Sequence, residues 1–265
     1  MTALALSPLA TLSRRRLQLT VRTPRELLVP LLTPIMFALV IAPALKTALH
    51  TPASYESYVA IGTIGLLIPL NTMFAGLGVI VDRESGAQRE LLAAPVPRAL
   101  LVLGNLLVAL AITGLQVGVL LAVAVARGID FHASSTGVLW FLGAAVLLTV
   151  GMYGAAEILA SRVPRQEEYI ARVPAIAILP WFLAGALFPI TATPIGLTWV
   201  ARFLPLTHAL ALMRYGLLDD SSGLHNIWRM SSAPEMAALS IGVVGLFAVL
   251  LTAVSVRVFT RAALR

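Results

Sequence analysis

The sequence predicts an all-α integral membrane protein, and three observations carry that prediction. Apolar residues make up 59% of the chain, and its mean hydropathy is +0.92. Charged residues make up only 12%, whereas a soluble domain has roughly 25%. Long charge-free runs recur along the chain, and each is near the roughly 20 residues that cross a bilayer as a helix. A membrane β-barrel needs segments of about ten residues with alternating polarity, and the sequence lacks that pattern.

Residues 1–25 combine arginines with apolar side chains, and we expect them to form an interfacial helix. The arginines are Arg14, Arg15, Arg16, Arg22 and Arg25. The leucines between them are expected to sink among the lipids while the guanidinium groups face anionic headgroups. This predicts a helix that lies on the inner surface of the membrane.

Six charge-free runs are the predicted membrane spans, and they cover residues 27–45, 57–81, 99–126, 131–156, 173–189 and 236–256. The run that contains the fifth span extends from Val173 to Ala201, which is long enough to enter the bilayer, break and turn. In hydrocarbon the backbone has to satisfy its own hydrogen bonds, and a helix does so within one segment. Because no domain boundary is evident, residues 1–265 are predicted to form one membrane domain.

The arginines also predict the orientation of the spans. With an even number of spans, both termini lie on the same side of the membrane. That side then carries fourteen of the 19 basic residues: Arg14, Arg15, Arg16, Arg22, Arg25, Arg83, Arg89, Arg98, Arg162, Arg165, Arg172, Arg257, Arg261 and Arg265. Because cytoplasmic loops carry the excess of basic residues, we expect both termini and the loop 82–98 to be cytoplasmic.

The segment 190–230 departs from the pattern of simple spans. Pro189, Pro194 and Pro205 prevent one continuous helix there. Short amphipathic pieces between them carry aromatic side chains such as Trp199 and Tyr215, which favour headgroup depth. We therefore predict an outer re-entrant segment, made of short helices that dip into the outer leaflet and return.

Few residues offer chemistry of their own. Lys46, the only lysine, follows Leu45, and Val40 stands where the distal glycine of a P-loop would fall. The chain has no cysteine, and its four histidines are scattered, so we expect them at the surface and expect no metal or cofactor site. Glu157 is the one acidic residue near a span interior, and a structural pairing with an arginine is favoured over a role in translocation.

The loop 82–98 is the densest cluster of charge between two long apolar runs. Gly86 is predicted to break it, and Ala87–Ala94 is good helix-forming sequence that Pro95 and Pro97 then stop. The simplest interpretation of the loop 82–98 is a solvated cytoplasmic loop without a binding function. Alternating acids and bases beside two leucines instead favour a short helix that docks in a groove of a soluble partner. Its candidate docking residues are Asp82, Arg83, Glu84, Gly86, Arg89, Glu90, Leu91 and Leu92.

These motifs resemble those of type-2 ABC exporter permeases. The stretch DRESGAQRELLAAPVPRALLVLGNLL resembles the family's charged loop with its proline pair. Ala184–Pro189 is similar to the small-residue ending of the family's fifth span, and Pro205–Leu210 with Arg214 resembles its outer signature. The nearest branch is the daunorubicin-resistance-like permeases of bacterial exporters.

The resemblance implies a subunit of an ATP-driven exporter for an amphipathic, drug-like or lipid-like substrate. It implies a second permease copy, as a homodimer or with a close homologue, and two ATPase subunits that hold the ATP and magnesium. The charged loop then corresponds to the family's coupling helix, which contacts the ATPase. The protein is expected in a bacterial inner membrane, and no nucleic-acid partner is expected. The implied outer or substrate-exit residues are Phe188, Pro189, Trp199, Phe203, Pro205, His208 and Arg214.

Three alternatives stay open from the residues. An ion-coupled secondary carrier needs ionisable residues deep in its spans, and Glu157 alone approaches this. An ABC exporter of a lipid-linked glycan fits the apolar spans equally well. An intramembrane enzyme acting on lipids is disfavoured because no cluster of Asp, His or metal-ligand spacing occurs.

Overall fold

The structure is a computed structural model that describes residues 2–22, 54–262 and a few positions between them, at 28, 32, 35–41, 43–44 and 47. The predicted first span, 27–45, therefore lies largely outside the described residues. The described part is helical and contains no strand, which confirms the all-α class.

Eleven α-helices form the described part, in addition to a π-helical turn at Phe37–Ile41 and a 3₁₀ turn at Ile190–Ala192. We label them α1 (Thr2–Arg22), α2 (Ser54–Ala75), α3 (Leu77–Glu84), α4 (Ala87–Ala93), α5 (Arg98–Ala126), α6 (Ser135–Arg162), α7 (Gln166–Leu183), α8 (Ile195–Phe203), α9 (Pro205–Leu218), α10 (Ser222–Trp228) and α11 (Ala233–Ala262).

Among the described residues, four helical stretches are long and apolar enough to cross a membrane: Tyr55–Glu84, Arg98–Ala126, Ser135–Arg162 and Ala233–Arg261. They correspond to the predicted second, third, fourth and sixth spans. The fourth starts at Ser135 rather than at 131, because the Ser134 hydroxyl accepts a hydrogen bond from the Gly137 N–H and caps the helix there.

The predicted fifth span differs most from the structure. Helix α7 already begins at Gln166, carries Glu167 and Glu168 in its first turn, and ends at Leu183. It is not among the four apolar stretches. The bent pair α8 and α9, which meet at 80°, would count as a fifth span if they formed one crossing. The total of six spans therefore stays a prediction.

Helix α2 lies at the centre of the bundle and α11 at its edge. In the apolar window of α2 and α3, 78% of the residues are buried, against 22% in that of α11. Ile61, Ile64, Leu67 and Ile68 on α2 have no exposed surface. A helix that is apolar on all sides and buried on all sides belongs to the core of the bundle, whereas the exposed leucines of α11 suit contact with lipid.

One end of the bundle collects the charged segments, and we call it the basic end. The Arg15 guanidinium pairs with Asp82 at 3.1 Å, which brings α1 to the end of α3. Arg83 donates to the carbonyl of Ala160 near the end of α6. Arg98 donates to the carbonyl of Thr260 on α11 at 3.2 Å. The segments that the orientation argument assigned to one side of the membrane thus meet at one end.

Candidate functional site

The charged loop forms the short helix that its sequence predicts. Helix α4 covers Ala87–Ala93, and Gly86 before it has φ 80, a left-handed conformation that glycine adopts without steric cost. Ala94 is extended, as expected for the residue directly before Pro95. The charged end of α3 and helix α4 are therefore separate pieces joined by a sharp turn at Gly86.

Three of the predicted docking residues bond within the chain itself. Asp82 is buried and pairs with Arg15 at 3.1 Å and with Arg16 at 3.7 Å. The Arg83 guanidinium donates to the carbonyls of Ala160, Val163 and Pro164 at 3.0, 2.6 and 3.1 Å.

The Glu84 carboxylate accepts a hydrogen bond from the amide of Gln166 at 2.6 Å. Together with Arg83, this contact connects the charged loop with the turn between α6 and α7.

Arg89 and Glu90 lie on the outward face of α4, and both are exposed. Leu91 and Leu92 are half-buried and pack against a small cluster that includes Leu101, Tyr153 and Phe259. The two leucines, predicted as anchors for a partner, thus also hold α4 against α5, α6 and α11. Polar and charged side chains remain as the accessible surface of this helix.

The N-terminal helix lies against the bundle through two of its arginines, and α1 packs along α5. The Arg16 side chain is 15% exposed, and its guanidinium donates to the carbonyl of Ala75 at 3.3 Å. It occupies the space beside Gly78, where any Cβ would overlap it. The expectation that the arginines of this segment face lipid headgroups is therefore wrong for Arg16, because a buried carboxylate and an open carbonyl attract it inward.

Glu157 is buried, with 1% of its surface exposed, and its partner is a tyrosine. The Tyr153 hydroxyl donates to its carboxylate at 2.9 Å, while Oε1 has no hydrogen-bond partner in the described part of the chain. The expected pairing with an arginine does not occur among these residues. Tyr153 precedes Glu157 by one helical turn, so their spacing on α6 was the signal that could have identified the pair.

At the opposite end of the bundle, short helices follow the prolines as predicted. Pro189 directly precedes the 3₁₀ turn, Pro194 directly precedes α8, and Pro205 is the first residue of α9. Helix α8 exposes an apolar face: Trp199 is 55% exposed and Phe203 is 77% exposed. Phe188, just before this segment, is 42% exposed.

His208 and Arg214 lie inside the protein rather than on this exposed face. The His208 ring bonds to Ser240 Oγ at 3.2 Å and to the Arg202 carbonyl at 2.9 Å, and it packs 5.4 Å from the Trp228 ring. The expectation of a surface histidine is wrong for this residue, because Nδ1 bonds to Ser240 on α11 and Nε2 bonds to the Arg202 carbonyl on α8, so both ring nitrogens have partners inside the protein.

Arg214 is 3% exposed and joins three segments. It donates to the carbonyls of Gly185 and Ala186, both at 2.9 Å, and to that of Tyr58 at 3.4 Å. Its guanidinium carbon lies 3.4 Å from the centre of the Tyr58 ring. The Tyr58 hydroxyl also donates to Gly185 at 2.9 Å. Sequence reasoning did not identify Tyr58 or Gly185, because both are more than 25 positions from Arg214 in the chain.

No group of three or more His, Cys, Asp or Glu side chains that could hold a metal ion occurs among the described residues. The arrangement is that of a membrane-embedded helical subunit with a charged end suited to a soluble partner. The family model described as ABC-2 type transporter matches residues 8–218 of the 265-residue chain. The chain belongs to this family, while no curated protein gives a match.

Membership makes the chain a multi-pass permease subunit of an ABC transporter, and such a subunit is not itself the ATPase. It also implies a separate ATPase partner. Of the open alternatives, the ion-coupled carrier and the lipid-modifying enzyme therefore give way to the ATP-driven subunit.

Proposed function

We propose that this permease belongs to an exporter that moves an amphipathic, drug-like or lipid-like molecule out of the bacterial cytoplasm. In this proposal two copies of the chain form the membrane pathway, and two ATPase subunits with their ATP and magnesium dock beneath them. In the same proposal the chain has six spans and lies in the inner membrane, with both termini in the cytoplasm. Kinship with the daunorubicin-resistance-like branch is part of the same proposal.

The observation that carries the proposal is the gathering of the charged segments at the basic end. Helix α4 presents Arg89 and Glu90 there, beside the exposed Arg165 and Glu167 of the next turn. Both surfaces alternate in sign, which suits a partner with complementary charges. Because Arg83 ties them together, movement of a docked ATPase is expected to reach α3, α6 and α7 at once.

The substrate class is supported by the other end. The exposed apolar face of α8, with Trp199 and Phe203, offers a surface on which the apolar part of an amphipath can lie. A lipid-linked glycan would also present a lipid tail to this face. A small amphipath is preferred because the described loops are short and carry no added domain for a sugar.

Reconstitution of the permease with its ATPase in proteoliposomes tests the function. We expect ATP-dependent movement of a fluorescent lipid or of a cationic amphipathic dye across the membrane. Trp199→Ala and Phe203→Ala are expected to reduce transport while a pull-down of the ATPase stays unchanged. Transport that proceeds at the full rate without the ATPase, or import in place of export, would disprove the proposal.

A further inference from the structure

A narrow cleft lies beside Arg214 at the end of the bundle opposite the basic end. It is small and is open to solvent on one side. One face of α9 lines it with Thr207, Ala211 and Arg214, which are spaced four and three residues apart. Ser222, Gly223 and Asn226 of α10 form the facing wall, and Pro189 and Ile190 close one edge.

Two buried polar atoms beside this cleft lack a partner. Arg214 Nε and Thr207 Oγ1 are inaccessible to water and form no hydrogen bond in the described part of the chain. A buried hydrogen-bonding group without a partner costs free energy, so a further group that bonds to both would be stabilised on this helix face. The two side chains are 3% and 4% exposed, respectively.

Arg214 is the one charged side chain among the described residues that line the cleft. The other nitrogens of Arg214 bond to neutral carbonyl oxygens, which leave its net charge in place. Asp220 is near enough to act on it electrostatically, but no ion pair between the two occurs in the described residues. Asp220 is instead engaged by the backbone N–H of Ser222 at 2.9 Å. A buried cation without a paired anion favours the binding of an anionic group.

The surroundings indicate what carries this anion. Ile190 at the edge of the cleft is followed by α8, whose Ile195 is 72% exposed. A molecule whose anionic group enters the cleft can therefore place an apolar chain along α8.

We propose that this cleft binds the phosphate or carboxylate group of an amphipathic molecule, with Arg214 and Thr207 as its ligands and Asn226 at its rim. The amphipath can be the transported substrate or a membrane lipid, and in the first case the inference rests on the proposed function. Binding itself needs no transport.

The test uses the permease–ATPase complex in phosphatidylcholine nanodiscs, with radiolabelled dodecyl phosphate as the probe and dodecanol as its neutral counterpart. We expect tighter binding of the phosphate. Thr207→Val keeps the volume of the side chain and removes the hydroxyl, and we expect about tenfold weaker binding from the loss of one charge-assisted hydrogen bond. Asn226→Leu is expected to weaken binding in the same direction.

Thr113→Val is the matched control, because the Thr113 hydroxyl is also buried and unpartnered in the described residues but lies on α5, outside the cleft. Its affinity for dodecyl phosphate should equal that of the unmodified protein. Equal binding of the two probes, or an equal effect of Thr207→Val and Thr113→Val, would overturn the inference. Because neither threonine anchors a helix, these variants are expected to fold.

Phosphatidylglycerol then separates the two sources of the anion. If adding it to the nanodisc displaces dodecyl phosphate, and Thr207→Val removes that competition, the cleft is a lipid headgroup site. If it does not compete, the cleft belongs to the transported molecule; both results support the site. Failed transport with intact phosphate binding refutes the proposed function alone, whereas intact transport with no preference for phosphate refutes this inference alone.

Discussion

Each end of the bundle contains an arginine that donates to three backbone carbonyls, but the two arginines differ in their surroundings. At the basic end, Arg83 donates to three carbonyls around the end of α6. At the other end, Arg214 donates to carbonyls just beyond the end of α7 and on α2. The acceptors of Arg83 lie at or just beyond the C-terminus of α6, and two of the three acceptors of Arg214 lie just beyond that of α7. A cation is favoured at a helix C-terminus by the open carbonyls and by the helix dipole.

The difference between the two arginines lies in what surrounds them. Arg83 is partly exposed and stands between the carboxylates of Asp82 and Glu84. Arg214 is buried and has no paired carboxylate among the described residues. The comparison teaches that the arginine at the basic end is accessible to solvent and to charged neighbours, whereas the arginine at the opposite end is buried among carbonyls and an aromatic ring.

The largest effect on stability is expected from Arg214→Leu. It removes the hydrogen bonds from the guanidinium to three carbonyls and the contact with the Tyr58 ring, so we expect the free energy of unfolding to fall by about 3 kcal/mol. Mixed-micelle denaturation measures this loss. Arg83→Leu, the matching change at the basic end, should cost about 1 kcal/mol because water reaches its carbonyls. Equal losses for the two variants would break the comparison.

The next largest effects on stability are expected from replacing two tightly packed glycines, Gly62 and Gly78, with alanine. A Cβ at Gly62 would overlap the backbone carbonyl of Ala186, whereas a Cβ at Gly78 would overlap only the end of the Arg16 side chain. Since backbone cannot move aside cheaply, Gly62→Ala should cost about 2 kcal/mol, measured in the same denaturation assay. Gly78→Ala should cost less, because Arg16 can swing outward.

The control for both glycine variants is Gly114→Ala on α5, where no atom lies within 4 Å of the added carbon. We expect it to leave stability unchanged. Gly118, one helical turn further on, has the same open surroundings, so these two glycines mediate no close helix contact within the described part of this chain. A loss at Gly114 as large as that at Gly62 would contradict the packing.

A smaller effect on stability, but a large one on activity, is expected from Arg83→Gln. The shorter amide cannot bond three carbonyls at once, so the connection between the charged loop and the α6–α7 turn should weaken, with the bond between Gln166 and Glu84 left in place. We expect the ATPase to stay bound in a pull-down while transport per ATP hydrolysed falls several-fold. Unchanged coupling would show that the link between the two segments has no mechanical role.

The smallest effect on stability is expected from charge reversal at exposed positions. Arg89→Glu should change the free energy of unfolding by less than roughly 0.5 kcal/mol, with normal insertion into the membrane, and should uncouple the partner's ATPase. Glu84→Lys is expected to uncouple it as well, through loss of the bond from Gln166. If both variants retain the ATPase and its stimulation, Arg89 and Glu84 are not part of the docking surface.

Local sequence predicted the pieces of this protein well. Helix α4 is delimited, as expected, by Gly86 before it and by Pro95 and Pro97 after it. The prolines of the outer segment likewise mark the starts of its short helices. These effects act within a few residues, since a missing N–H or a permitted positive φ is a property of the position itself. The apolar runs likewise predicted the long helices, although Ser134 and Gln166 set two of the boundaries.

What the sequence alone determined is therefore the helical class, the apolar segments, the breaks between them and the concentration of arginine in certain loops. The tertiary structure decided which polar groups meet. It joined Arg214 to Tyr58, 156 positions away, and Arg83 to Val163, 80 positions away. Such partners depend on how the helices cross and pack, and no local pattern encodes this. The same packing turned His208 and Arg16 inward and left Arg89 and Glu90 facing out.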